Sequence, residues 1–182
     1  MIKTFLGKAF FALTDWKITG HVPQEKKYVV LQAPHTSNWD FLIGKLFNFV
    51  VKMNPKIFVK KELFVFPIGI FTRMLGGIPV DRSRKTSLVE DTVEIFKNSE
   101  IFSLAITPEG SRSRREIWKK GFHHIATQAN VPVYLGYIDY KLKEVGVEEE
   151  PLKMTGDVDV DIEELKRRYS KYHAKYPEKF GY

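Results

Sequence analysis

The chain contains no cysteine. That excludes a disulfide framework, a thiolate metal site and a cysteine nucleophile, and it fits a reducing compartment. Long uncharged apolar runs are missing too. A spanning helix needs about 20 mostly apolar residues. The best stretches fall short: Phe41 to Val51 contains Lys45, and Leu63 to Thr72 contains Pro67 and is followed by Arg73. Neither is expected to cross a bilayer. At the N-terminus Lys8 interrupts the apolar residues and no clear small-residue cleavage site follows, so no secretory signal is expected. Repeats, low-complexity tracts and an interdomain linker are also lacking. Residues 1–182 therefore read as one domain, with 1–20 as a candidate interfacial amphipathic helix and 141–182 as a polar C-terminal part.

What is present is globular and basic. Hydrophobic residues make up 43% and charged residues 28%, which argues against disorder. The formal net charge of +7 favours anionic partners: nucleic acid, acidic lipid headgroups or phosphate-bearing cofactors. Aromatic residues reach 14%, which calls for a large core or for apolar surface exposed on purpose.

Apolar periodicity alternates between two kinds of segment. Strands are expected at 28–33, 57–59, 77–80, 101–107 and 132–140, and helices at 4–16, 37–53, 86–97 and 119–129. Strands alternating with helices predict an α/β fold with a largely parallel central sheet flanked by helices. Ligands in such sheets collect beyond the carboxyl ends of strands. Polar segments fall there, after Ala33, after Val80 and after Thr107.

The first such segment is Ala33-Pro-His-Thr-Ser-Asn-Trp-Asp-Phe. Ser37 suits a helix N-cap, and Asp40 lies where a capping-box side chain reaches back. As structure alone, both residues cap and His35 is a solvated loop residue. As chemistry, the positive end of the helix favours the neutral imidazole, and Asp40 orients the ring. A His–Asp pair with no obvious protein nucleophile suggests a base acting directly on a substrate hydroxyl. The second segment, Gly76-Gly-Ile-Pro-Val-Asp-Arg-Ser-Arg, combines paired glycines with Arg82 and Arg84. The third, Thr107-Pro-Glu-Gly-Ser-Arg-Ser-Arg-Arg, offers amides at Gly110 and Ser111 and a bidentate fork at Arg112. Glu109 inside that arginine cluster reads as an acid that orients its neighbours. His123 and His124 match no metal-ligand spacing, and no metal is expected.

In this order the segments resemble the glycerolipid acyltransferases typified by lysophosphatidic acid acyltransferase. That family shows a His, four intervening residues and an Asp, here His35 and Asp40. A Gly-rich stretch ending in an Asp-Arg or similar pair follows, here Gly77 to Arg82. Glu-Gly-Thr-Arg-Ser comes next, here Glu109 to Ser113 with Ser111 in place of Thr, and then a Val-Pro-Val strand from Val131. The resemblance runs from about Gln32 to Leu135. Many relatives carry a longer N-terminal membrane-binding helical pair.

The resemblance implies transfer of a fatty acyl group from acyl-CoA or acyl-carrier protein to the hydroxyl of a lysophospholipid of the 1-acylglycerol-3-phosphate kind. His35 would be the general base and Asp40 its partner. Arg82, Glu109, Gly110, Ser111 and Arg112 would form the substrate-binding set, with no bound cofactor. An acceptor in the bilayer implies a cytoplasmic enzyme, peripheral on the inner face of the cell membrane. Phe5, Leu6, Phe10, Phe11, Leu13 and Trp16, and a second stretch over 66–71, are the candidate docking elements on an anionic surface. Two alternatives stay open: the same chemistry on another lyso-lipid, such as an amino-acid-containing one, and a basic nucleic-acid or anionic-surface binding module. The module reading leaves His35, Asp40 and Glu109 without a role, and no nucleic-acid motif is present, so no nucleic-acid partner is expected.

Overall fold

The computed structural model describes residues 2–80 and 85–181, with the side chains of 85–87 outside that description. Among the described residues seven strands form one sheet: β1 (Lys17–Gly20), β2 (Lys27–Gln32), β3 (Lys56–Lys60), β4 (Gly77–Val80), β5 (Phe102–Ile106), β6 (Val133–Asp139) and β7 (Glu144–Val147). Their order is β1-β7-β6-β2-β5-β3-β4. Every pairing is parallel except β6 with β7. Among the described residues six α-helices accompany the sheet: α1 (Ile2–Leu13), α2 (Asn38–Val51), α3 (Ile68–Met74), α4 (Lys85–Asn98), α5 (Gly121–Ala129) and α6 (Val158–Tyr169). The chain is thus a single α/β domain.

The central strands are apolar on both faces because both faces are covered. Along β2, Val29 and Leu31 point to one side and meet Phe96 of α4, Phe122 of α5 and Leu165 of α6. The alternate residues Tyr28 and Val30 point to the other side and meet Ile43 and Phe47 of α2. Seven consecutive residues of β6 are buried in the same way. Two separate cores result, one per face.

Expected and observed elements agree to within a few residues from β2 through β6. The main differences lie at the ends of the chain. Residues 141–182 supply β7 and α6, and they place Tyr169 and Phe180 in the larger core. The Trp118 indole N–H donates to the Gly181 carbonyl at 3.1 Å, and its ring centroid lies 6.0 Å from that of Phe180. At the other end the apolar residues of α1 divide. Phe10 and Phe11 pack on the core beside α2. Phe5, Leu6 and Leu13 are exposed, Leu13 at 85%.

Candidate active site

The site forms because β5, β2 and β6 are adjacent and parallel. Their carboxyl ends release three loops side by side. The loop after β2 carries His35, the loop after β5 carries Glu109, and Tyr140 follows β6 directly. Residues far apart in the chain are thereby brought together, Tyr140 among them with no motif to announce it.

Ser37 caps α2, accepting from the Trp39 amide at 3.1 Å, and the capping box with Asp40 is complete. Asp40 is 2% exposed. Its Oδ2 accepts the amides of Thr36 and Ser37, each at 2.8 Å, and its Oδ1 accepts the Tyr140 hydroxyl at 2.6 Å. The same Oδ2 lies 3.3 Å from Nδ1 of His35. Capping and orienting are therefore two tasks of one carboxylate. The His35–Asp40 contact has the distance of a hydrogen bond but lies off its line, and Nδ1 is otherwise buried without a partner. Catalytic pairs commonly align only when substrate is bound. With Nδ1 turned to Asp40, Nε2 is the nitrogen left to face a substrate hydroxyl.

Glu109 holds the other side of the histidine. Its two oxygens accept the His35 backbone N–H at 3.1 and 3.0 Å. It is 3% exposed, so the residue placed with the substrate-binding set lies beneath His35 and fixes its backbone. Arg112, in the same loop, is exposed. Gly110 turns the chain with φ +69, and a Cβ there would meet the stem of Lys119 at 3.0 Å. Ser111 Oγ donates to the Ser113 carbonyl at 3.0 Å and accepts the Ser113 amide at 3.3 Å, which shapes the turn that presents the arginines. Arg82 lies outside the described residues.

The two carboxyls occupy opposite electrostatic states. Burial pushes the Asp40 carboxyl up, but His35, the Tyr140 hydroxyl and the Ser37 amide outweigh it and hold the group below its ordinary range. Burial pushes Glu109 up to about 8; the His35 amide opposes that rise and the nearby Asp40 charge adds to it. Near neutrality Asp40 is charged and Glu109 keeps its proton. Burial and neighbours thus drive the two carboxyls apart, with Asp40 the charged neighbour of the His35 ring and Glu109 the neutral one behind its backbone.

Tyr140 is a site residue that sequence reasoning missed. Burial and the Asp40 carboxylate push its phenol far up, so it remains a donor to Asp40. Behind it Asp139 accepts from His173 Nδ1 at 2.9 Å, and the Tyr176 amide donates to Thr36 Oγ1 at 3.3 Å. The segment after α6 thereby braces the histidine loop. His123 sits elsewhere, buried at 2.9 Å from Asp161 Oδ2. Among the described residues no group of three or more acidic, His or Cys side chains could hold a metal ion.

Comparison with known proteins bears on the family and the fold. The solved structure of a 1-acyl-sn-glycerophosphate (LPA) acyltransferase, PlsC, from Thermotoga maritima matches with a TM-score of 0.65. The match covers 93% of this chain and 77% of that one at 19% sequence identity. A search of curated protein sequences returned no match. The sequence model of the Acyltransferase family matches residues 15–136, which contain His35, Asp40 and the Glu109 loop. The chain therefore belongs to the acyltransferase family, and its α/β fold is that of PlsC.

Proposed function

We propose that this acyltransferase moves a fatty acyl group from acyl-CoA or acyl-carrier protein to the hydroxyl of a lysophospholipid carrying a phosphate. The observation that carries the reading is the oriented His35, 3.3 Å from a buried Asp40 at the carboxyl edge of the sheet. Nε2 of His35 takes the hydroxyl proton as the oxygen attacks the thioester carbonyl. The tetrahedral oxyanion collapses with cleavage of the C–S bond. The departing thiolate takes the proton back from the imidazolium, leaving an ester and a free thiol. Asp40 stabilises the imidazolium in between. The exposed Arg112 has the fork suited to the acceptor phosphate.

The substrate reading also calls for contact with a membrane. No helix among the described residues is long and apolar enough to cross one. Apolar side chains are nevertheless exposed: Phe66 at 86%, Phe71 at 64% and Ile68 at 51% around α3, and Leu13 of α1 at 85%. Such surface beside lysines suits interfacial binding to anionic lipid.

The test of the reaction is release of thiol from acyl-CoA and from acyl-carrier protein, with a panel of lyso-lipids that includes an amino-acid-containing one. His35→Ala should reduce turnover by about 10²–10⁴-fold in a folded protein. Full activity in that variant would refute the assignment. Preference for an acceptor lacking phosphate would move the function to the amino-acid-containing class.

A further inference from the structure

A separate pocket lies on the C-terminal half of α2. There Lys45, Asn48, Phe49, Lys52 and Met53 recur at intervals of three and four residues and share one side of the chain. The rise of the helix places Lys45 about 8 Å beyond Asp40 along the axis, and Lys52 follows as the C-cap of α2. Residues of α1 and the end of α3 complete a pocket of about 690 Å³. Three ammonium-bearing side chains line it: Lys3, Lys45 and Lys52. Among the described residues no Asp or Glu does. Much of the remaining wall is apolar, with Ile2, Phe49 and Met74 in it.

Lys45 is the unusual member. It is only 7% exposed. Among the described residues its ammonium has no hydrogen-bond or ion-pair partner and lies 5.9 Å from the centroid of the Phe41 ring. Lys3 by contrast donates to the Met74 carbonyl at 3.0 Å. Burial, then the charges of Lys56 and Lys3, pull Lys45 down to about 8. A buried ammonium without a counter-charge costs stability, and an apolar side chain of equal length would avoid that cost. Cations gathered with no acid complement an anion, and the wall beside them complements hydrocarbon. Ile2 and Met74 line the pocket and are themselves 76% and 55% exposed, so the apolar wall runs out to the surface.

We propose that this pocket binds the phosphate headgroup of a bilayer lipid, as a site separate from the His35–Asp40 centre. The ammonium groups of Lys3, Lys45 and Lys52 take the phosphate, and Phe49 and Met74 take the start of the hydrocarbon. The inference rests on the membrane reading only for the source of its ligand.

A soluble short-chain lipid tests it without a bilayer. Dihexanoyl phosphatidic acid, dihexanoyl phosphatidylcholine and inorganic phosphate are titrated into the full chain, with affinity read by calorimetry and the Lys45 side chain by NMR. The phosphatidic acid should bind and move the Lys45 signals. Inorganic phosphate and the phosphatidylcholine should each bind about tenfold more weakly or worse. Lys45→Met should lose about tenfold or more in affinity while melting at a higher temperature than the wild type, and Lys52→Met should weaken binding without touching the buried position. Phosphatidic acid is also the product of the proposed reaction, so Arg112→Ala, at the proposed acceptor grip, should leave the Lys45-dependent binding unchanged. Equal affinity in Lys45→Met, unmoved Lys45 signals, equal binding of inorganic phosphate, or loss of the Lys45-dependent binding in Arg112→Ala would each overturn the proposal. Acyl transfer measured on the same samples reports on the proposed activity independently, so the failure of one is distinguishable from the failure of the other.

Discussion

Replacing Glu109 by Gln should stabilise the protein, and the gain should grow with pH. In the fold the carboxyl is 3% exposed, and burial raises it from an ordinary 4.5 to about 8. Between these values the unfolded chain has lost the proton while the folded chain keeps it. The folded state then binds more protons, so stability falls as pH rises. Each pH unit in that window withdraws about 1.4 kcal/mol. From this group the wild type loses about 3 kcal/mol by pH 7 and about 4 kcal/mol by pH 8, where the folded group is itself half ionised. The Gln variant keeps a carbonyl to accept the His35 amide and does not titrate. Its advantage should widen by about 1.4 kcal/mol per unit between pH 5 and 7 and more slowly towards pH 8. At pH 7 that corresponds to about 6–12 °C in Tm for a chain of this size. Asp40, Asp139 and Glu148 are held low and bend the profile the other way, but they are common to both proteins and cancel in the difference. Urea unfolding of both proteins at pH 5, 6.5 and 8 is the assay. A gap that stays constant across pH would refute the reasoning, because it would mean that Glu109 is already ionised in the fold.

Asp40→Asn should lower turnover by about 10²–10⁴-fold and stability by about 1–2 kcal/mol, since one carboxylate both caps α2 and faces His35; normal turnover per folded molecule would leave only the cap. Tyr140→Phe removes the hydroxyl from Asp40 Oδ1. The less shared carboxylate should hold the imidazolium more tightly, so kcat should fall and the acidic limb of the kcat/KM profile should move to higher pH. An unmoved limb would mark Tyr140 as packing alone. Arg112→Lys keeps the charge but loses the fork, and it should raise KM for a phosphate-bearing acceptor with little change for the donor; the reverse pattern would place Arg112 on the donor.

The legible parts of the chain were those whose signal is local. β2 is a run of β-branched and apolar residues between a turn and a capped helix, so strand, loop and α2 all show in the sequence. β1 and β7 are adjacent four-residue strands at one side of the sheet, Lys-Ile-Thr-Gly and Glu-Val-Gly-Val, too short and too polar to stand out. In α6, Ile162, Leu165 and Tyr169 make a helical stripe, but the acids around them gave the impression of a solvated tail. The same limit applies to the site. His35 and Asp40 are five positions apart and readable together. Glu109 reaches His35 across 74 residues and Tyr140 reaches Asp40 across 100, so only the strand order makes those contacts visible.

The pairing of β1 with β7 has a consequence for the order in which a growing chain settles. Lys17 leaves the ribosome long before Glu144, its partner on the sheet. By residue 106 the block β2-β5-β3-β4 has all its strands and can close. The catalytic edge cannot. Tyr140 arrives later, and the Tyr169 hydroxyl that joins the carbonyls of Leu31 and Gly136 arrives later still. Phe180 reaches Trp118 last of all. An unfinished chain thus already holds the histidine and aspartate but not the strands, hydroxyls and aromatic rings that brace them. The braced arrangement is complete only once residue 180 has emerged, with β1 already paired to β7 on the shared sheet.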